Sequence, residues 1–135
     1  MEAVKERIEK MNKALDALKE NFDVEPENAL MKRIVRNSKI QCFEFSFDFF
    51  WKTLKVYLSD VQKIMLDSAF PRNIFRACVE AGVISEQEAK QAMEMLDSRN
   101  LTSHTYREEI AASIAQKIPE YYQLMYTIIN RLKID

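Results

Sequence analysis

A chain of 135 residues with a single glycine has almost no means of turning a β-sheet. Tight hairpins need residues that tolerate positive φ, and Gly82 is the only one free of steric cost, with Pro26, Pro71 and Pro119 the only prolines. Ala, Leu, Glu, Lys, Gln and Met, the good helix formers, are abundant in the remainder. The predicted fold class is therefore all-α: an antiparallel up-and-down bundle of four long helices plus one short helix, with residues 1–135 forming one domain. A chain of this length buries about two-thirds of its unfolded surface, enough for one core.

Hydrophobic spacing divides the chain. Val4, Ile8, Met11, Leu15, Leu18 and Phe22 recur at alternating intervals of four and three, which predicts an amphipathic helix over about 2–21. Asp23 to Pro26 closes it, with Pro26 expected in the first turn of the next helix. That second helix, about 27–63, contains a conflict, because Phe43, Phe45, Phe47 and Phe49 alternate with polar residues as a strand would. The longer helical template takes Leu30, Ile34, Phe43, Phe47, Phe50, Leu54, Leu58 and Val61 with no turn signal between them, so helix is predicted. Phe45, Phe49 and Val56 remain on its other face, which places the helix at the centre of a bundle or in a subunit interface. Core packing and a base-stacking platform are the two readings of this aromatic cluster.

Residues 65–70 read as a connector or the end of the second helix. Pro71 opens a short helix of about ten residues that Gly82 terminates in a left-handed cap. Arg72 and Arg76 lie four apart on it, either as solvated charges or as a phosphate contact. Ser85-Glu86-Gln87-Glu88 is a capping box, and Ala89, Ala92, Met93, Leu96 and Leu101 supply the apolar side of the helix it opens. The last segment, about 106–133, carries Ile110, Ile114, Ile118, Tyr121, Tyr122, Met125, Ile128, Ile129 and Leu132, with Pro119 expected to kink or split it.

A net charge of −1 gives no global pull toward nucleic acid or an anionic membrane, so any RNA contact must be local. Cys42 and Cys78 have neither metal-ligand spacing nor a cysteine-dense context, and are expected as reduced core thiols. No metal site is expected. The lack of a signal peptide, transmembrane run or lipidation motif points to the cytoplasm and away from membranes.

The most chemically mixed stretch is Asp97 to Tyr106. It holds the only histidine, His104, five positions after Arg99, with Asn100, Thr102, Ser103, Thr105 and Tyr106 around them. On one straight helix Arg99 and His104 would stand roughly 140° apart. A bend or a second chain is needed to aim both at one atom. Thr105-Tyr106-Arg107-Glu108 reads as a capping box, which would end one helix near His104 and begin the next at Tyr106. In one reading Arg99 pairs with Asp97 or a nearby glutamate, and Tyr106 packs on the core. In the other, the guanidinium fork of Arg99 holds a phosphate and the His104 imidazole moves a proton.

The pattern Arg99-Asn100-x3-His104-x-Tyr106 resembles the signature of the HEPN superfamily of small helical proteins. The resemblance to one branch, the nucleotidyltransferase substrate-binding proteins, covers most of the chain: Phe43 to Asp48 running into Trp51 to Lys55, Pro71 to Gly82, Met95 to Tyr106, and Ile118 to Tyr122. It implies a helical subunit that pairs with a separately encoded minimal nucleotidyltransferase, the nucleotide and Mg2+ being held by that partner and no cofactor by this chain. Arg99, Asn100, Ser103, His104 and Tyr106 are the implied substrate or anion contacts. The superfamily also includes metal-independent ribonuclease toxins. For that alternative the resemblance implies RNA as substrate, Arg99, Asn100 and His104 as catalytic residues, and Tyr106 as the site at which the partner adds adenylyl groups. The sequence itself contains no Gly-Ser pair followed by Asp-x-Asp and no glycine-rich phosphate loop. Surplus apolar surface on the second and last helices predicts a homodimer.

Overall fold

The four alternating phenylalanines resolve as helix. Phe43 and Phe47 are buried while Phe45 is 55 % and Phe49 36 % exposed, a split that period 3.6 produces and period 2 forbids. The computed structural model describes residues 2–66 and 69–133. Helix α1 spans Glu2–Glu20 and is followed by a 3-10 turn, Asn21–Asp23; α2 spans Ala29–Asp60, α3 Pro71–Glu80 and α4 Glu86–Leu101; a second 3-10 turn, Thr102–His104, leads to α5, Glu108–Ile129. No strand occurs among the described residues. None of their helices is long and apolar enough to cross a membrane.

Side-chain contacts fix the directions. Going up α1, Ala14 meets Ser46 and Asn21 meets Cys42, so α1 and α2 are antiparallel. Glu88 meets Arg131 and Ser98 meets Tyr121, so α4 and α5 are antiparallel. Phe43 stacks on Tyr121 and the Tyr57 hydroxyl donates to the Lys133 carbonyl, so α2 and α5 run the same way. The four long helices alternate as predicted, and α2, at 32 residues, packs against every other helix. Phe43, Phe47 and Phe50 from α2 meet Phe75 from α3 and Tyr121 from α5 at ring-centroid distances of 5.4 to 6.4 Å, forming the aromatic centre of one core.

Local chemistry explains several boundaries. Pro71 occupies the first turn of α3. Gly82, at φ +74°, ends it with the paired Gly82 N–H to Val79 and Val83 N–H to Cys78 bonds of a Schellman motif. Ser85 and Glu88 form the predicted capping box in full. Cys78 is a buried thiol pushed up to about 12 by desolvation. Cys42 is only half-buried, with its Sγ accepting from Asn21.

Four expectations need correction. Pro26 precedes α2 rather than lying in its first turn: the cap is Asn28, whose side chain accepts from the Met31 N–H at 2.8 Å. Pro119 sits inside α5 without splitting it, because Ile114, Ile118, Tyr121 and Met125 all bury on the same side and packing holds the helix across the missing hydrogen bond. Leu30 and Ile34 are exposed, since the start of α2 extends past the level at which α5 begins beside Arg36. Leu101 is 43 % exposed, α4 burying the line Ala92, Met95 and Ser98 instead. Part of the 65–70 connector, residues 67 and 68, lies outside the described residues; the rest is non-helical up to Pro71.

Phe47→Ala is expected to cost about 3–5 kcal/mol in denaturant unfolding, and Phe45→Ala, two residues away, clearly less; equal losses would contradict the helical register. A second expectation concerns pH. Hydrogen bonding to Arg131 first, then to Ser85, holds the Glu88 carboxyl below its usual range despite opposing burial. A depressed folded value stabilises above the unfolded pKa, and that contribution is lost as pH falls through the lowered one. The stability difference between wild type and Glu88→Gln should be present at neutral pH and close below about pH 4.

Candidate functional site

The motif stretch lies where α4 tightens into the 3-10 turn and passes to α5, and α2 braces that junction on both sides. Arg99 stands in the last turn of α4, where a cation is favoured by the exposed carbonyls. Its guanidinium reaches back to α2 and grips Asp48 bidentately, Nε to Oδ1 at 3.2 Å and Nη2 to Oδ2 at 3.1 Å. Nη1 donates to Glu44 Oε2 at 3.1 Å and to Thr102 Oγ1 at 2.9 Å. Glu44 and Asp48 lie four apart and so share a face of α2. Hydrogen bonding to Asp48, and then the charges of Asp48 and Glu44, push the Arg99 pKa above its ordinary value against the opposing effect of burial. Two turns earlier on α2, Arg36 pairs with Glu108 at the start of α5 at 2.7 Å.

Glu108 is therefore committed to α2 and not to a local cap. Arg107 is the N-cap residue of α5 and has no side-chain cap bond, while Thr105 Oγ1 donates to the Thr102 carbonyl at 3.3 Å. The capping box read at Thr105 to Glu108 does not form. Behind the junction, the buried Ser98 hydroxyl and the Tyr121 phenol share a 2.7 Å hydrogen bond, which fixes α4 against α5 one residue before Arg99.

The remaining motif residues face outward. Asn100, Ser103 and His104 are exposed, and Tyr106 is 80 % exposed. Ser103 Oγ donates to the Asn100 carbonyl at 3.3 Å. The His104 and Tyr106 rings meet edge to face at 6.0 Å. Arg99 and His104 share no partner: the guanidinium is occupied by α2 and Thr102, and no described residue hydrogen-bonds to the imidazole or to the Tyr106 hydroxyl. The structure thus joins His104 to Tyr106 and Arg99 to Glu44 and Asp48. Sequence reading passed over Glu44 and Asp48 as site residues; two carboxylates four apart on an otherwise aromatic helix were the available signal. Two negative charges against one positive leave the Arg99 cluster with a formal surplus of −1. No group of three His, Cys, Asp or Glu among the described residues is placed to hold a metal ion.

The family model described as nucleotidyltransferase substrate binding protein like matches residues 6–134. The chain belongs to that family. A crystal structure of a Thermus thermophilus protein is 35 % identical to it, with a TM-score of 0.80 over 92 % of this chain and 99 % of that one. A crystal structure of a toxin-antitoxin with AMP-PNP has a TM-score of 0.73 at 12 % identity, over 96 % and 97 % of the two chains, a likeness of fold alone. No curated protein matches the sequence significantly.

The two halves of the motif should separate in unfolding experiments. Arg99→Ala, which leaves Glu44 and Asp48 facing each other without a cation, is expected to cost about 1–3 kcal/mol. His104→Ala and Tyr106→Phe should stay within about 0.5 kcal/mol of wild type. A neutral Arg99→Ala would show the clamp to be absent in solution.

Proposed function

We propose that this chain is the helical binding subunit of a two-component system in the cytoplasm. A separately encoded minimal nucleotidyltransferase supplies the metal-binding carboxylates and holds the nucleotide and Mg2+, while this chain presents the acceptor substrate to it. Family membership over residues 6–134 supports the class of activity. The exposed amide, hydroxyl, imidazole and phenol of Asn100, Ser103, His104 and Tyr106 are the groups available to hold or offer a substrate.

The observation that carries this reading over the nuclease one is the occupied Arg99 fork. A metal-independent ribonuclease needs a cation to receive the charge that develops on the phosphorane. Here Nε, Nη1 and Nη2 are already taken by Asp48, Glu44 and Thr102, beside a net acidic charge that repels phosphate. One observation favours the second reading: the Tyr106 phenol is open to solvent, as a target of adenylylation must be. In that case the Tyr106 oxygen attacks the α-phosphorus of ATP, pyrophosphate leaves, and the added anion lies beside His104.

Two experiments separate the readings. The binding-subunit reading expects a stable complex with the nucleotidyltransferase encoded beside it, co-eluting at micromolar concentration, and RNA left intact by the purified protein in EDTA. Cleavage of RNA that is lost in both Arg99→Ala and His104→Ala would transfer the assignment to the nuclease.

A further inference from the structure

The Arg99 fork is spent on α2, so an anion brought to the outward half of the motif needs its cation from elsewhere. Two contacts show which part of α2 supplies one. Glu44 and Asp48 meet Arg99, which turns their strip of α2 toward the end of α4. Arg36 meets Glu108, which turns its own strip toward the start of α5. At about 100° per residue, Arg33 falls between these two bearings, roughly 60° from Arg36 and roughly 20° from Glu44. It therefore stands on the side of α2 that looks onto the connection from α4 to α5, which carries Ser103, His104 and Tyr106. Phe47, Phe43, Ile40 and Arg36 lead up to Arg33 along this inward side. Above Arg36 the helix overhangs the start of α5, and the buried apolar residues give way to an exposed arginine.

Lys32, Arg33 and Asn37 are exposed, and none makes an ion pair or a side-chain hydrogen bond with a described residue. The other cations at this end are matched, Arg36 by Glu108 and Arg107 by Glu109. Two positive charges are therefore left over at the end of the bundle that holds His104 and Tyr106. The acidic surplus at Glu44 does not cancel them: it lies roughly 16 Å further along α2, about twice the screening length of ~8 Å at physiological salt. Arg36 adds one more sign of an incomplete site. Its Nε is buried with no acceptor among the described residues, a state that folded proteins seldom leave uncompensated.

We infer that the acceptor substrate carries a phosphomonoester, and that Arg33, with Lys32 as the second charge and Asn37 as an amide donor, holds that phosphate above the α4–α5 connection while the rest of the substrate reaches His104 and Tyr106. The inference rests on the binding-subunit reading and assigns the anion contact to α2 instead of to Arg99. A phosphomonoester carries nearly two negative charges at neutral pH, which Lys32 and Arg33 match; a diester carries one. The planar fork of Arg33 suits two phosphate oxygens at once. A nucleotide and the phosphorylated end of an oligonucleotide share this chemistry.

The single histidine supplies the readout, because its imidazole proton signals in nuclear magnetic resonance need no assignment. AMP, inorganic phosphate and a 5′-phosphorylated tetranucleotide are added separately to the wild-type protein, with adenosine as the control. At least one of the three phosphates is expected to shift the His104 signals saturably at millimolar concentration or below, and adenosine to leave them in place. Saturation by AMP points to a nucleotide, and saturation by the tetranucleotide alone to a nucleic-acid end. Arg33→Ala should weaken the binding at least roughly tenfold with unchanged circular dichroism, the loss of a charge-assisted hydrogen-bonded pair, and Arg33→Lys should recover part of it. Binding that Arg33→Ala leaves unchanged, or no binding of any of the three phosphates, would overturn the inference. Both of those results are compatible with a stable complex with the nucleotidyltransferase. Arg33-dependent phosphate binding without such a complex would instead remove the binding-subunit reading and keep the phosphate site.

Discussion

The bidentate grip of Arg99 on Asp48, reinforced by Glu44, is the interaction that sets where the motif can act. It ties the end of α4 to the middle of α2 across roughly fifty residues of chain. Arg36 and Glu108 do the same for the start of α5. Between these two ion pairs the chain has only to make a 3-10 turn, which buries Thr102 against Arg99 and leaves Ser103 and His104 open to solvent. Each pair is partly exposed, so its worth is modest taken alone. The guanidinium of Arg99, with four hydrogen bonds in fixed planar geometry, is the stronger of the two anchors.

Helix α2 makes this arrangement possible because it serves three directions at once. Its Phe43, Phe47, Phe50, Leu54 and Leu58 face the core, its Glu44 and Asp48 face α4, and its Phe45 and Phe49 face outward. A helix with apolar residues around most of its circumference belongs inside an assembly, and one edge of α2 still lacks a neighbour in the single chain. Core, clamp and outward stripe are therefore properties of one element, and a substitution on one face leaves the others in register.

Much of this was legible from residue order. The three-four spacing of α1, the capping box at Ser85, the proline that opens α3 and the glycine that ends it depend on neighbours within a few residues, and all appear where the pattern put them. The errors share a cause. Thr105 and Glu108 have the spacing of a capping box, but Glu108 finds Arg36 from another helix and the local pair is lost. Pro119 has the chemistry of a breaker, but the buried residues of α5 on both sides of it keep the helix whole. The partner of Arg99 was sought within its own stretch, at Asp97 or a nearby glutamate, while the actual carboxylates lie 51 and 55 residues earlier. Charges are easily paired with local neighbours on paper, and only the fold reveals which distant ones meet.

The exposure of His104 and Tyr106 and the enclosure of Arg99 divide one short motif into a presented half and a structural half. The most direct test observes the Arg99 Nε–H by nitrogen-15 nuclear magnetic resonance while inorganic phosphate or a short RNA is added. A clamped guanidinium gives a resolved signal, slow to exchange with water and unmoved through the titration, with any changes within the motif confined to Asn100, Ser103, His104 and Tyr106. A signal averaged by rapid exchange, or one that shifts as the anion binds, would mean that Asp48 and Glu44 release Arg99 to the ligand, and the division would fail.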